Sequence, residues 1–325
     1  MTRGQARAGG RDAAAEAAHS GLLPLDKPQG VTSHDAVERA RRRLGVRAVG
    51  HLGTLDPAAT GLLVIAIGAA TRCAAVWQGG RKTYAGTVRF GVVTDTQDLA
   101  GRVLERSERR PAAADVRAAL ERLTGDVAQV PPMYSALKRG GERLHRLARR
   151  GETLAREPRP VHVHAWRVLE LTPDELGFEV DCSGGTYVRT LAHDLGRLLG
   201  CGAALAALRR LRSEPFSLEQ ACPWAALEPG GDEDVFARWG VPLDRALETL
   251  PAVTLSAAAA EAVGRGQQPV VPPGGAPVGA GARSVVFRSA EGRALALGEL
   301  RREPDGVRAR PSVVFPWAVR EGPAA

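Results

Sequence analysis

The sequence predicts an α+β protein in two parts: a larger unit on a mixed, largely antiparallel sheet, and a small β-rich unit at the C-terminal end. Three observations predict this. Stretches of strand and helix character follow one another without the regular alternation of a doubly wound parallel sheet. Composition shifts after Pro229, where Gly, Asp and Glu crowd, and again over residues 267–281, where Pro and Gly dominate. Beyond the second shift only short apolar runs of strand length follow. With 325 residues, 44% hydrophobic and 25% charged, the chain is long enough for both units and too balanced for wholesale disorder.

The elements follow in order. Residues 1–20 are mostly Ala, Gly and Arg and lack the apolar stretch of a signal peptide, so they read as a disordered tail. Leu22, Leu23 and Leu25 form a short strand that runs into the turn Pro28-Gln29-Gly30. A helix follows, with Thr32 or Ser33 as cap, Val37, Ala40 and Leu44 as its apolar stripe and Gly45 as its stop. Residues 83–93, 161–171 and 178–182 carry the alternating or β-branched pattern of strands, and 115–123 that of a helix. Val188, Leu191, Leu195, Leu198 and Leu199 trace a second helical stripe, ended by Gly200. Short strands are expected at 285–287, 294–298 and 313–315. The division is a tail (1–20), a main domain (21–250) and a C-terminal domain (251–325).

Charge and composition narrow the function. Forty-four basic against 36 acidic residues leave +8, and a pI near 10.0 points to a polyanionic partner. Only Lys27, Lys82 and Lys138 are lysines, and only Tyr84, Tyr134 and Tyr187 tyrosines. The longest apolar run, 62–70, is far short of the roughly 18 residues of a membrane span, so no membrane association is expected. Cys73, Cys182, Cys201 and Cys222 form no C-x-x-C pair, which argues against a zinc site or disulfide scaffold and for a reducing cytoplasm. Residues 79–83 lack the adjacent Gly-Lys of a phosphate loop, and no dinucleotide fingerprint or nucleophile elbow is present. His162 and His164 share a strand face without a third ligand nearby in sequence, so no metal is expected.

One segment has a different texture. In Gly50-His51-Leu52-Gly53-Thr54-Leu55-Asp56-Pro57-Ala58-Ala59-Thr60-Gly61, a single carboxylate sits among glycines. Asp-Pro is a good helix start, with Asp56 as N-cap. It also suits a fixed nucleophile, because the following proline restricts its backbone and the glycines admit a substrate. Arg189, third in a helix capped by Thr186, opposes the helix dipole and lacks the Glu or Gln of a capping box. An anionic partner such as Asp56 would explain it, through a bidentate pair; exposure or phosphate contact would also. Tyr84 and Tyr187 are open to two readings, half-buried packing or stacking on an unpaired base. His51 reads either as a loop hydrogen-bonder or as a group packing into nucleic acid where a base has been displaced.

Together these segments resemble the bacterial TruB family of tRNA pseudouridine synthases, from about Gly21 to the end. The stretches that carry the resemblance are Leu25-Asp26-Lys27-Pro28-Gln29-Gly30, residues 50–63, 82–86, 131–138, 182–189 and 200–211. The resemblance implies a pseudouridine synthase fold with a PUA-like C-terminal RNA-binding domain, and isomerisation of uridine 55 in the T loop of tRNA. Asp56 matches the catalytic aspartate, Tyr84 the tyrosine that stacks on the target base, and Arg189 the arginine paired with the aspartate. His51 matches the residue linked to base flipping, Tyr187 and Leu208 line the pocket, and Lys27 and Lys82 fall in substrate-binding motifs. It implies no cofactor, tRNA bound through its T arm and T loop, and a monomer. Two positions depart from the family pattern: His145 where relatives often have an aromatic, and Gly184 where many have Lys. A non-catalytic RNA-binding protein on the same scaffold is the competing reading, disfavoured by the intact Asp56, Tyr84 and Arg189; for DNA there is no helix-turn-helix, zinc-finger or zipper signature.

Overall fold

The apolar run after the Asp56 loop becomes a strand buried on both faces, and the architecture is built around it. A computed structural model describes residues 20–318 except 136, 140, 153, 232, 272–283 and 305, so residues 1–19 of the tail expected at 1–20 and most of the Pro/Gly-rich stretch lie outside the described residues, while Ser20 is buried against the first sheet. The strands of the first sheet are β1 (Gly21–Lys27), β2 (Val49–His51), β3 (Thr60–Ile67), β4 (Lys82–Phe90), β7 (Gly125–Gln129), β8 (Arg159–Leu171), β9 (Glu175–Cys182) and β10 (Ala203–Ser213). A separate hairpin pairs β5 (Val92–Thr94) with β6 (Val103–Arg106). Among the described residues the first sheet has eleven strands, and its main path runs Cys222–Pro223, β1, β3, β10, β4, β9, β8, β7. Only the β10–β3 and β1–Cys222 pairings are parallel, which makes the sheet mixed and largely antiparallel.

Strand β3 alternates between two cores. Leu63, Ile65 and Ile67 join Leu23 and Leu25 of β1 on one face, while Leu62, Val64 and Ala66 join Leu22 on the other. A strand covered on both sides reads as a continuous apolar run, which is why periodicity did not mark 60–67 as a strand. The first face is covered by α1 (Ser33–Leu44), α2 (Ala113–Arg122) and α3 (Val188–Leu199), through residues such as Val37, Val116, Leu191 and Leu195. Helix α1 starts where expected: Thr32 is its N-cap in a reciprocal box with Asp35, whose carboxyl is held below its usual range by the Thr32 hydrogen bonds, and Gly45 ends it at φ 65°.

The second face is covered by a five-stranded sheet of β11 (Ala252–Thr254), β12 (Val270–Val271), β13 (Val285–Arg288), β14 (Ala294–Glu303) and β15 (Gly306–Val314). Val286, Leu297, Phe315 and Trp317 of this unit share one core with Leu22, Leu62 and Val64. Polar ties reinforce it: Asp244 Oδ1 accepts from Ala294 N at 2.7 Å, and Arg72 donates to the Val314 carbonyl at 2.9 Å. The unit has its own core on the other side, around Val253, Val263, Val285 and Phe287. Two of its strands exceed the sequence expectation. β14 runs on to Glu303 and β15 begins at Gly306, because the charged ends of this hairpin (Arg301, Arg302) are exposed and leave no apolar pattern.

Candidate active site

The loop between β2 and β3 carries Asp56, and three neighbours fix it. Ser33, the first residue of α1, accepts from the Leu55 N–H and donates to the Leu55 carbonyl, both at 2.9 Å. The Pro57 carbonyl accepts from Gly30 N at 2.8 Å, tying the loop to the Pro28–Gly30 turn. Arg210 of β10, 2% exposed, donates to the carbonyls of Leu62 (2.6 Å), Gly53 (3.1 Å) and Thr54 (3.5 Å). Asp56 does not cap a helix. Its carbonyl closes a single turn with Ala59 N at 3.1 Å, and strand pairing takes the chain over at once, Thr60 against Arg209 of β10 and Gly61 against Lys27 of β1.

The carboxylate is instead paired with Arg189. Nε donates to Asp56 Oδ2 at 2.8 Å and the Nη2 donor reaches Oδ1 at 3.4 Å, the two-pronged arrangement that a planar guanidinium permits. The remaining donors are also used: Nη1 on the Thr96 carbonyl at 2.7 Å, Nη2 on the Tyr134 carbonyl at 2.8 Å. A second carboxylate, Asp98, lies 3.7 Å from Nε. The Arg189 side chain is 6% exposed against 39% for Asp56, so the cation is buried and the carboxylate faces solvent. Helix α3 begins one residue later than expected. The Thr186 hydroxyl is spent on the Ser183 carbonyl at 2.9 Å, Tyr187 becomes the N-cap, and Arg189 is the second helical residue, still in a first turn without an acidic residue.

Asp56 opens into a cavity of about 460 Å³ whose walls include Tyr84, Tyr187, Arg189, Leu208, Lys82 and Arg210. Six of the eight residues singled out from sequence therefore meet here, Asp56 included. Tyr84 is buried on β4; burial pushes its phenol up, with the Arg210 guanidinium opposing the rise. Burial likewise raises Tyr187, which Ser135 hydrogen-bonds. Lys82 lines the cavity, but its ammonium is turned onto the carbonyls of Gly80 (2.7 Å) and Gln78 (3.4 Å), and burial lowers it to about 8.

The other two residues stand apart. Lys27 is fully buried and is not among the cavity's lining; its ammonium binds the carbonyls of Pro28 (2.9 Å) and Val31 (2.7 Å). Burial lowers it to about 8, with Asp56 acting in the opposite sense. In this geometry Lys27 braces the turn beside the Asp56 loop. His51 is half-buried at the end of β2, opposite Ile65, and also outside the cavity lining. The departure at Gly184 has a local reason: a Cβ there would lie 2.6 Å from the Gln78 carbonyl, so the backbones approach too closely for a side chain. His162 Nδ1 sits 2.7 Å from Asp126, with the His164 ring 4.6 Å away, and among the described residues no group of three ligand-type side chains could hold a metal.

Comparison with known proteins gives this geometry a family. Residues 41–188 match the TruB family pseudouridylate synthase N-terminal domain, and residues 189–248 match the tRNA pseudouridylate synthase B C-terminal domain. The chain is 44% identical over 281 residues to the tRNA pseudouridine synthase B of Aromatoleum aromaticum, covering 86% of this chain and 88% of the relative. It is 46% identical over 254 residues to that of Burkholderia pseudomallei, covering 78% and 84%. Among solved structures, the archaeal box H/ACA sRNP Nop10–Cbf5 complex matches with a TM-score of 0.68 at 25% identity, over 94% of this chain and 89% of that one. An H/ACA RNP bound to a substrate RNA containing 2′-deoxyuridine matches at 0.67 and 25%, over 91% and 85%. Coverage this complete takes in the second sheet, and the C-terminal β-rich unit is PUA-like. With relatives this similar along most of their length, and the paired Asp56 and Arg189 at the mouth of the cavity, the chain belongs to the TruB family of pseudouridine synthases.

Proposed function

We propose that this protein isomerises uridine to pseudouridine at position 55 in the T loop of tRNA, with Asp56 as the nucleophile acting on the sugar of a nucleotide whose base is flipped out of the loop. The observation that carries the reading is the Asp56 carboxylate, held by a buried arginine at the edge of a cavity walled by two tyrosines and a leucine. The reaction breaks the N1–C1′ glycosidic bond and makes a C5–C1′ bond; N1 gains a proton and C5 loses one. Substrate and product have the same atoms, so neither redox equivalents nor a phosphoryl donor is required.

Asp56 either attacks the sugar or takes a proton from it, and Arg189 aims the carboxylate. The detached base must stay in the site while it turns, and a cavity of about 460 Å³ gives it room beside Tyr84, Tyr187 and Leu208. Tyr84 stacks on the base and assists loss of the C5 proton. A base inside a folded loop reaches such a cavity only by extrusion, with His51 on β2 filling the gap it leaves. The net charge of +8 favours a polyanionic substrate.

The test is to incubate the protein with unmodified tRNA and map pseudouridine by position. Conversion at uridine 55 is expected. Asp56→Asn, nearly isosteric, is expected to fold and bind tRNA as the parent does and to give no product; multiple turnovers by this variant would sink the nucleophile assignment. Conversion at another position would sink the assignment of substrate.

A further inference from the structure

The first turn of α3 holds two of the site's residues, Tyr187 as N-cap and Arg189, yet no side chain of its own caps it. A helix start of this kind leaves backbone donors without partners, and a capping box would use a Glu or Gln at the third helical residue to reach back to the N-cap N–H. Here that residue is Thr190, and its hydroxyl points away, donating to Gln97 Oε1 at 2.8 Å. The missing group comes from a different strand. Gln129, the last residue of β7, is 1% exposed, accepts from Tyr187 N at 2.8 Å and donates from Nε2 to the Tyr187 carbonyl at 3.0 Å. One amide thus takes up the N–H of a residue in the cavity wall and adds a donor to its carbonyl, which also accepts from Thr190 N at 3.0 Å and Leu191 N at 3.1 Å.

We propose that Gln129 is a positioning residue for the isomerisation: its amide supplies from β7 the cap that α3 lacks, and thereby sets Tyr187 and Arg189 against Asp56. This rests on the reading of the site as a pseudouridine synthase centre. A local capping box would have claimed the side chains of Tyr187 and Thr190, the N-cap and the third helical residue. Moving the cap to another strand frees the Tyr187 side chain for the cavity wall, two residues before Arg189 and its carboxylate partner. It also couples the sheet edge to the site: loss of the Gln129 amide leaves the Tyr187 N–H without its acceptor, the carbonyl keeping only the Thr190 and Leu191 N–H donors, and lets the first turn shift. Displacements of about 1 Å in such a site are worth on the order of 10²-fold in rate.

The test compares Gln129→Met, which keeps the length and loses both bonds, with Gln129→Glu, which keeps the acceptor and loses the donor. Single-turnover pseudouridine formation at saturating tRNA is expected to fall about 10- to 100-fold in Gln129→Met, with tRNA affinity within about 3-fold of the parent. Combined with Arg189→Lys it should add little, because both changes act through the same turn. Affinity and rate falling together, additive losses or an unchanged rate would each overturn the proposal. Gln129→Glu keeps the acceptor for the Tyr187 N–H and should lose less than Gln129→Met; should Gln129→Met not fold, Gln129→Leu, which also loses both bonds, carries the test by the same criteria. A readout independent of activity uses the chain's three tyrosines, labelled at Cζ for NMR. In the variant that loses both bonds the Tyr187 titration should move toward that of a free tyrosine while Tyr84 keeps its own. An unmoved Tyr187 overturns the proposal even if the wild-type protein leaves tRNA unmodified, an outcome that would instead sink the isomerase reading.

Discussion

Arg189 shows how much of the site one residue organises, and where sequence reasoning about it stops. A cation in a helix first turn is anomalous on electrostatic grounds, and that anomaly pointed to an anionic partner. It could not show that the guanidinium also binds the carbonyls of Thr96 and Tyr134, which come from loops far away in the chain. Four contacts from three nitrogens in one plane are beyond an ammonium, so Arg189→Lys must leave at least one of these acceptors unpaired or the carboxylate misaimed. A hydrogen bond to a charged group is worth roughly 1.5–3 kcal/mol, so turnover should drop about 10- to 100-fold per bond lost, with little change in tRNA affinity. Kinetics of the purified variant check this, and parental turnover would remove planar geometry as the reason for Arg. Arg210 is the counter-example. It lies beside Arg209, which pairs with Asp26 at the surface, and the two neighbours differ only in which face of β10 they occupy. Nothing local distinguishes the buried clamp of the Asp56 loop from the solvated arginine.

At the scale of elements, what was legible depended on whether a local signal survived folding. The Thr32 cap of α1, the glycines ending α1 and α3, and the strands 161–171 and 178–182 have such signals, and all are present. The Asp-Pro helix start and the Thr186 cap were overridden, one by pairing of Thr60 with β10 and of Gly61 with β1, the other by the Ser183–Thr186 turn. Strand β10 has no clear alternation because it bulges twice against β4, between Leu205 and Ala207 and between Arg210 and Arg212. Gly61 joins β3 to β10 at the end of the Asp56 loop, with φ of 96° and an added Cβ only 2.4 Å from the Arg210 carbonyl. Neither the backbone angle nor the contact can relax without moving the strand that carries the Arg210 clamp. Gly61→Ala is therefore expected to cost more than the roughly 1–3 kcal/mol of a strained backbone alone, and to slow turnover as well. Gly45→Ala, at φ 65° with open space around it, is the control: it should cost about 1 kcal/mol and leave turnover alone. Melting curves and rates for the two variants separate them, and equal losses would refute the role of the close approach.

At the scale of the whole molecule, composition sets off the C-terminal unit at 251–325, and Asp56, Tyr84 and Arg189 all precede residue 251. The shared core nonetheless ties the unit to the site. Leu22, Leu62, Val64 and Ala66, all at most 2% exposed, are packed under Val286, Leu297, Phe315 and Trp317. Burying one large aliphatic side chain is worth roughly 1.5–3 kcal/mol, so uncovering several approaches the roughly 5–15 kcal/mol that keeps a domain folded. The uncovered face belongs to the strands β1 and β3 that frame the Asp56 loop, so loss of the cover reaches the site directly. Deleting residues 251–325 is expected to give a chain that aggregates or lacks a cooperative melting transition, and that makes no pseudouridine even at saturating tRNA. Scattering, near-ultraviolet dichroism and a turnover assay on the truncated chain decide the matter. A soluble, cooperatively folded truncation that still turned over tRNA would show that the second sheet contributes little to the stability of the first.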